Sequence, residues 1–256
     1  MKVLFIGDIV GKSGRATVKA LLPSLKHEHN IDLTIANGEN VTHGKGLNEA
    51  HYKELLAMGI DVITLGNHAF SKAEIYAYLD KADRLIRPAN ISPKDKGRSW
   101  IELQVKGTPV IVVNLCGQVF METVMESPFV TMANLQRQFK DKIIIVDLHA
   151  EATSEKAAFA HQYQRLCSAV LGTHTHVQTA DERLIGHCAF ISDVGMTGPY
   201  DSIIGRDVGE VLDKFQGLHV RSYTVGEGEA QLCGVVLDID ETTRHTRSIT
   251  RIQIRP

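Results

Sequence analysis

Eight polar side chains of this sequence fall directly behind short apolar runs: Asp8, Glu39, Asn40, Asn67, His68, His149, His174 and His176. By type they are carboxylates, amides and imidazoles, with no thiolate among them. A mixed nitrogen and oxygen set suits Fe, Mn, Zn or Ni better than Mg or Ca, which prefer oxygen throughout. Two metals sharing a bridging carboxylate need about seven or eight ligands, and the set meets that need. His174-Thr175-His176 carries the most weight. In an extended segment residues i and i+2 point to one side, so both rings are expected to reach one cluster. Singly, each residue has an ordinary reading: Asp8 as a turn residue, the asparagines as loop amides, the histidines as satisfied core groups. The ordered combination is far more specific.

The elements that must position these groups are short. Residues 3–6, 33–36, 62–65, 143–147 and 169–171 read as strands, and a polar cluster follows each. In open α/β sheets the carboxyl ends of strands converge on one crevice, so separate strand ends can deliver groups to one place. Between them, Ser13 is expected to cap a helix with apolar positions Ala16, Ala20, Leu21 and Leu25, kinked or restarted at Pro23. Asn48 caps a helix to about Met58, and Ser71 caps another to about Leu79. Residues 131–139 and 153–166 also read as helices. Strands 100–105 and 110–115 flank Lys106-Gly-Thr-Pro109 as a hairpin, and 189–193, 232–239 and 247–254 are late strands. No repeat or linker interrupts the pattern. The expectation is one α/β domain over 1–256, with helices outside two stacked sheets.

Composition sets the background. The chain has 256 residues, with 28 Lys+Arg against 30 Asp+Glu and a net charge of −2. A chain this long exposes roughly 11,000 Å² folded against about 41,000 Å² unfolded, enough for one large core. A hydrophobic share of 43% with 23% charged residues excludes disorder. The near-neutral balance argues against gripping duplex DNA. The first apolar run is too short for a signal peptide, and no stretch approaches the ~20 apolar residues of a membrane span. Cys116, Cys167, Cys188 and Cys233 lack C-x-x-C spacing and read as buried hydrophobes of a reduced cytoplasm. Gly7 to Ser13 imitates a phosphate-binding P-loop, but three residues separate its glycines where four are required, so Lys12 reads as solvated. His43 reads as a surface loop residue, while Thr197 and Tyr200 are candidates to line the pocket.

In order, Gly7-Asp8, Asn37-Gly38-Glu39-Asn40, Gly66-Asn67-His68, His149 and Gly172-Thr-His174-Thr-His176 resemble the signature of calcineurin-like metallophosphoesterases. Three positions depart from it: Val10 stands in place of a histidine, Glu39 in place of a bridging Asp, and Ala69 in place of an acid. With Ser192-Asp-Val-Gly-Met-Thr-Gly-Pro-Tyr-Asp201, the resemblance is to the YmdB-like branch of small bacterial phosphodiesterases, from Lys2 to about Arg206. It implies a four-layer α-β-β-α sandwich of two mixed sheets. It also implies two divalent or trivalent transition metal ions, Fe or Mn ahead of Zn. Asp8, Glu39, Asn40 and His176 would hold the first metal, with the Asn40 amide oxygen filling the gap left by Val10. Glu39, Asn67, His149 and His174 would hold the second, with Glu39 bridging.

The implied reaction is hydrolysis of a 2′,3′-cyclic nucleotide at its 2′-bond, giving the 3′-nucleotide. A metal-bridging hydroxide attacks, and His68 is the catalytic proton donor. The expected partner is a small cyclic nucleotide or another phosphodiester, with no duplex DNA and no membrane. The chain is expected to be cytoplasmic and to form a homo-oligomer. A phosphomonoesterase, a small nuclease and a nucleotide-binding regulator without turnover remain as alternatives, and His68 argues against the last.

Overall fold

The computed structural model describes residues 1–122, 124 and 126–256. The chain begins with β1 (Lys2–Ile6), β2 (Asp8–Ile9), α1 (Gly11–Glu28), β3 (Leu33–Asn37), α2 (Glu49–Ala57), β4 (Val62–Thr64) and β5 (Leu85–Ile86). It continues through β6 (Trp100–Val105), β7 (Thr108–Cys116), α3 (Pro128–Leu135), β8 (Ile143–His149), α4 (Thr153–Tyr163) and β9 (Ala169–Thr173). The last third holds β10 (Arg183–Ile185), β11 (Cys188–Ile191), β12 (Met196–Pro199), α5 (Val208–Phe215), β13 (Ala230–Ile239) and β14 (Thr246–Ile254).

Two mixed sheets result. One has the order β2-β12-β13-β1-β3-β4-β5, with β14 also on β13; the other runs β10-β11-β9-β8-β7-β6. Strand alternation then sorts the side chains into layers. In β1, Leu4 and Ile6 pack with Val18, Leu22 and Leu25 of α1. Val3 and Phe5, on the opposite face, join Val110, Val112, Ile143 and Ile145 of the second sheet. The alternate residues Ile111, Val113, Ile144 and Val146 meet Met132 of α3 and Phe159 of α4. The layers are therefore helix, sheet, sheet, helix. Each Leu or Ile buried this way contributes about 1.5–3 kcal/mol.

β1, β3, β4 and β5 run parallel, as do β7, β8 and β9. Their carboxyl ends carry the polar clusters. β8 extends to His149 and β9 to Thr173, further than the expected strands, so His149 is itself a strand residue.

Several local expectations change. α1 starts at Gly11, with Val10 rather than Ser13 at its N-cap, and it buries Gly11, Gly14, Val18, Leu22 and Leu25. Ala16 and Ala20 are exposed. The reason is close approach: a Cβ on Gly14 would stand 2.3 Å from the Thr197 carbonyl oxygen, so α1 rests on β12 through Gly14, while Gly11 faces Val225. The helix also runs through Pro23 without a restart. Pro23 and Lys19 are both exposed, so the Lys19 carbonyl that loses its donor can turn to water.

After Ser71 the chain makes two short 3₁₀ turns, Ala73–Ala77 and Leu79–Lys81, instead of an α-helix. The three-residue step that buries Ile75 and Tyr78 suits this tighter winding. The expected hairpin forms with a shorter turn, Lys106 and Gly107 at φ 50° and 80°, and β7 begins at Thr108. All four cysteines are free and buried. Among the described residues, no helix is long and apolar enough to cross a membrane.

Candidate metal centre

Each strand end hands over its polar residue through a tight backbone. After β1, a Cβ on Gly7 would lie 1.9 Å from the Gly195 carbonyl oxygen, so only glycine lets the chain pass to Asp8. Asp8 is fully buried beside Met196 of β12. Its Oδ2 accepts from the His174 backbone N–H at 3.2 Å. Its Oδ1 is buried with no hydrogen-bond partner among the described residues. After β3, the Glu39 backbone N–H donates to Asn37 Oδ1. The Glu39 side chain is buried, and its Oε2 accepts from the His68 backbone N–H at 3.1 Å. After β4, Gly66 leaves room for both Glu39 and His149, which a Cβ there would meet at 2.3 Å.

The donors fall into two groups that share one carboxylate. Glu39, His149 and His174 have ligand atoms all within 4.8 Å of one another, a group that could hold a metal ion. His149 Nε2 lies 3.1 Å from His174 Nδ1 and 3.0 Å from Asn67 Oδ1. In the second group, the Asn40 amide is 3.2 Å from His176 Nε2, which is 3.9 Å from Asp8 Oδ1. Glu39 Oε1 touches both groups, at 3.1 Å from His149 Nε2 and 3.3 Å from the Asn40 amide nitrogen. His68 shares a cavity of about 250 Å³ with Glu39, Asn40, His174 and His176. All eight residues singled out from the sequence therefore meet at one place.

The extended geometry expected for His174-Thr175-His176 does not hold. β9 ends at Thr173, and His174 and His176 take left-handed φ values of 107° and 66°. Their rings consequently serve different groups. Val10 packs against the positions of Gly198 and Gly205, and Ala69 lies within the core, so these two departures are apolar packing sites.

A supporting shell orients the donors, and the motif reading gave its members no role. Thr173 Oγ1 donates to Asp147 Oδ1 at 2.7 Å, so it accepts from His149 Nδ1 at 2.8 Å. Thr64 Oγ1 and Asn37 Nδ2 donate to Asp147 Oδ2. That relay turns His149 Nε2 toward Glu39 and fixes the ring. Glu151 Oε2 pairs with His174 Nε2 at 3.2 Å, leaving Nδ1 to face His149. Lys156, fully buried on α4, donates to the Thr173 carbonyl and to Asp193 Oδ2, which also accepts from the Thr175 N–H. This buried pair pins the His174–His176 loop. Asp147 and Glu151 carry no motif spacing, and Asp193 enters only as part of the motif over 192–201, with no role given to it; a strand-interior acid such as Asp147 is the one further signal that could have been followed.

The charges are shifted to match. Burial raises Asp8 to about 6, against the opposing pull of His176 and His149. Burial works against the Glu39 carboxylate, but His149 and His68 hold it well below the usual range. Burial would lower His149, yet Glu39, Asp8 and Asp147 raise it to about 9. Burial, with His149 adding to it, lowers His174 to about 3, so that ring is neutral and ready to donate a lone pair. An orphaned buried carboxylate oxygen, converging imidazoles and a shared carboxylate fit a transition-metal pair.

Metal uptake should therefore release protons, because both raised groups must deprotonate to bind. At pH 7 metal uptake should release about one proton from His149, in addition to that of a metal-bound water, and below about pH 6 Asp8 should add another. Calorimetry in buffers of different ionisation enthalpy measures this. Heats that do not vary with buffer would contradict it.

Other candidates fall elsewhere. Lys12 and His43 line a separate cavity of about 610 Å³ at the first turn of α1. Thr197 is buried in β12, and Tyr200 lies beneath Arg255, so neither lines the metal cavity.

A helix–sheet–sheet–helix sandwich with Asp, Asn and His at converging strand ends is the fold of the calcineurin-like metallophosphoesterases. A Haemophilus influenzae NAD nucleotidase shares that fold at a TM-score of 0.58 and 15% identity, over 100% of this chain and 50% of that one. Within this class the chain belongs to the YmdB-like protein family, whose model matches residues 4–252. It is 44% identical to a 2′,3′-cyclic-nucleotide 2′-phosphodiesterase of Bacillus subtilis, covering 99% of this chain and 97% of that protein. A structure described as a novel phosphatase from Mycoplasma pneumoniae superposes with a TM-score of 0.94 at 35% identity, covering 100% of this chain and 93% of that one. A hypothetical protein from Thermus thermophilus does so with a TM-score of 0.93 at 38% identity, covering 100% of this chain and 99% of that one.

Proposed function

We propose that this chain is a metal-dependent phosphodiesterase that opens 2′,3′-cyclic nucleotides at the 2′-oxygen and releases the 3′-nucleotide. The observation that carries this reading is Glu39 Oε1, in contact with both donor groups at the wall of the cavity that also holds the His68 ring. The Bacillus subtilis relative, named for that activity, supports it. Asp8, Glu39, Asn40 and His176 would hold one metal, and Glu39, Asn67, His149 and His174 the other. The donor chemistry suits Fe, Mn, Zn or Ni better than Mg or Ca, and the family resemblance puts Fe or Mn ahead of Zn. A bound pair supplies positive charge for the phosphate and lowers the pKa of water toward neutrality.

The chain's own residues do the rest. Water adds to phosphorus and releases a proton to solvent, the P–O2′ bond breaks, and the departing 2′-oxygen takes a proton from His68, which solvent then restores. Burial holds His68 below its ordinary value while the Glu39 carboxylate opposes that shift. A phosphate anion beside the ring would favour the imidazolium that this step needs. No hydrogen bond to another described residue engages the His68 ring, so it is free to meet the substrate; its backbone N–H meanwhile steadies Glu39.

Leaving-group dependence tests this role. A ribose oxygen needs a proton as it leaves, whereas p-nitrophenolate is already stable as an anion. His68→Ala should therefore cost on the order of 10²-fold or more with a cyclic nucleotide. With bis-p-nitrophenyl phosphate the loss should be clearly smaller, at unchanged metal content. Equal losses on both substrates would remove His68 as the leaving-group acid.

A further inference from the structure

The cavity lined by Glu39, Asn40, His174 and His176 also holds a cation outside the motifs quoted above, Arg206. Its backbone is fixed by a tight turn over residues 203–206, in which Ile203 and Arg206 exchange both hydrogen bonds at 3.0 Å. Ile204 and Gly205 at the tip take φ values of 47° and 91°. On its other side Arg206 bridges to Val225. The guanidinium lies against Gly44, where a Cβ would stand 2.8 Å from Nη1. Gly44 belongs to the same loop as Glu39 and Asn40, so a missing side chain on that loop makes the space for Arg206.

The guanidinium is underused. Of its five donors, only Nη2 makes a hydrogen bond among the described residues, to the Gly44 carbonyl at 3.0 Å. No described carboxylate comes within ion-pair distance: Glu39 binds His149 and the His68 backbone, and Glu210 binds Thr224. Burial also pushes half-buried Arg206 below its ordinary value, a shift that the more distant Glu210, Tyr223 and Glu39 only partly offset. A planar fork of free N–H donors facing a cavity matches the oxygens of a phosphate, which it can hold in bidentate fashion.

We propose that Arg206 binds the non-bridging oxygens of the substrate phosphate and orients the phosphodiester against His68. This rests on the phosphodiesterase reading above. The turn that carries Arg206 also accepts a hydrogen bond from His176 Nδ1 at the Ile204 carbonyl, 2.8 Å away. One turn thus aims a metal-donor ring and presents the phosphate-binding side chain, which couples the two functions in space.

The test uses metal-loaded protein with 2′,3′-cyclic AMP, and inorganic phosphate as the binding probe. Arg206→Ala should lower kcat/KM by about 10- to 100-fold and weaken inorganic-phosphate binding, measured by calorimetry, by a similar factor, with metal content unchanged. Arg206→Lys should keep the charge, lose the fork and fall between the two. Added guanidinium should restore part of the rate of Arg206→Ala and none of that of Arg206→Lys. A kcat/KM within twofold of the original, at full metal content, overturns the proposal. Loss of metal without guanidinium rescue also overturns it, by assigning Arg206 to propping the 203–206 turn. If the unmodified protein turns over no phosphodiester, the functional reading fails, while the phosphate-binding comparison still decides the role of Arg206.

Discussion

Glu39→Ala should strip both metals together and reduce phosphodiesterase activity to background. Glu39 Oε1 contacts His149 Nε2 and the Asn40 amide, so one carboxylate joins the two donor groups. Without it, two like-charged ions would face each other with nothing between them. Outer-shell changes at metal sites already cost about 10–100-fold, so loss of a shared ligand should exceed that range. His176→Ala removes a donor from one group only and should deplete mainly one metal. Elemental analysis separates the two outcomes, and near two metals per chain in Glu39→Ala would refute the bridging role.

Gly66→Ala should damage the same centre by a different route. The added methyl would stand 2.3 Å from Glu39 Oε2 and 2.3 Å from His149 Nε2. Neither group has somewhere to go. Glu39 is held by the His68 N–H, and His149 by the Thr173–Asp147 relay. Overpacking of this kind costs about 1–3 kcal/mol of stability. Metal content and activity should collapse together while circular dichroism still reports a folded chain. Full metal occupancy and activity in Gly66→Ala would show that the strand end is looser than its packing indicates.

The sheets, and the meeting of the eight polar residues at their strand ends, were legible in the sequence because they rest on short, largely apolar runs. Leu33-Thr-Ile-Ala and Ile143-Ile-Ile-Val announce buried strands, and each ends where a polar residue begins. The layered order followed from helices alternating with such runs. What stayed hidden has physical reasons. β2 and β5 are two residues long, too short to show any period. α1 packs through glycines, which no hydrophobic pattern marks. His174 and His176 take left-handed backbone because the loop, rather than the strand, carries them. Asp147 sits within an apolar run and finds its partners on β3, β4 and β9, contacts fixed only when both sheets close. Arg206 reaches the site through a bridge to Val225 and a glycine on a loop far away in sequence.

Chelation should separate chemistry from folding, since the three apolar clusters do not include the metal donors. The most direct test of the whole reading is the product formed from 2′,3′-cyclic AMP, followed by phosphorus NMR in matched metal-loaded and EDTA-treated samples. The expected result is 3′-AMP alone from the loaded protein and no turnover from a chelated protein that remains folded. Release of 2′-AMP, absence of turnover by the loaded protein, or full activity after chelation would contradict it.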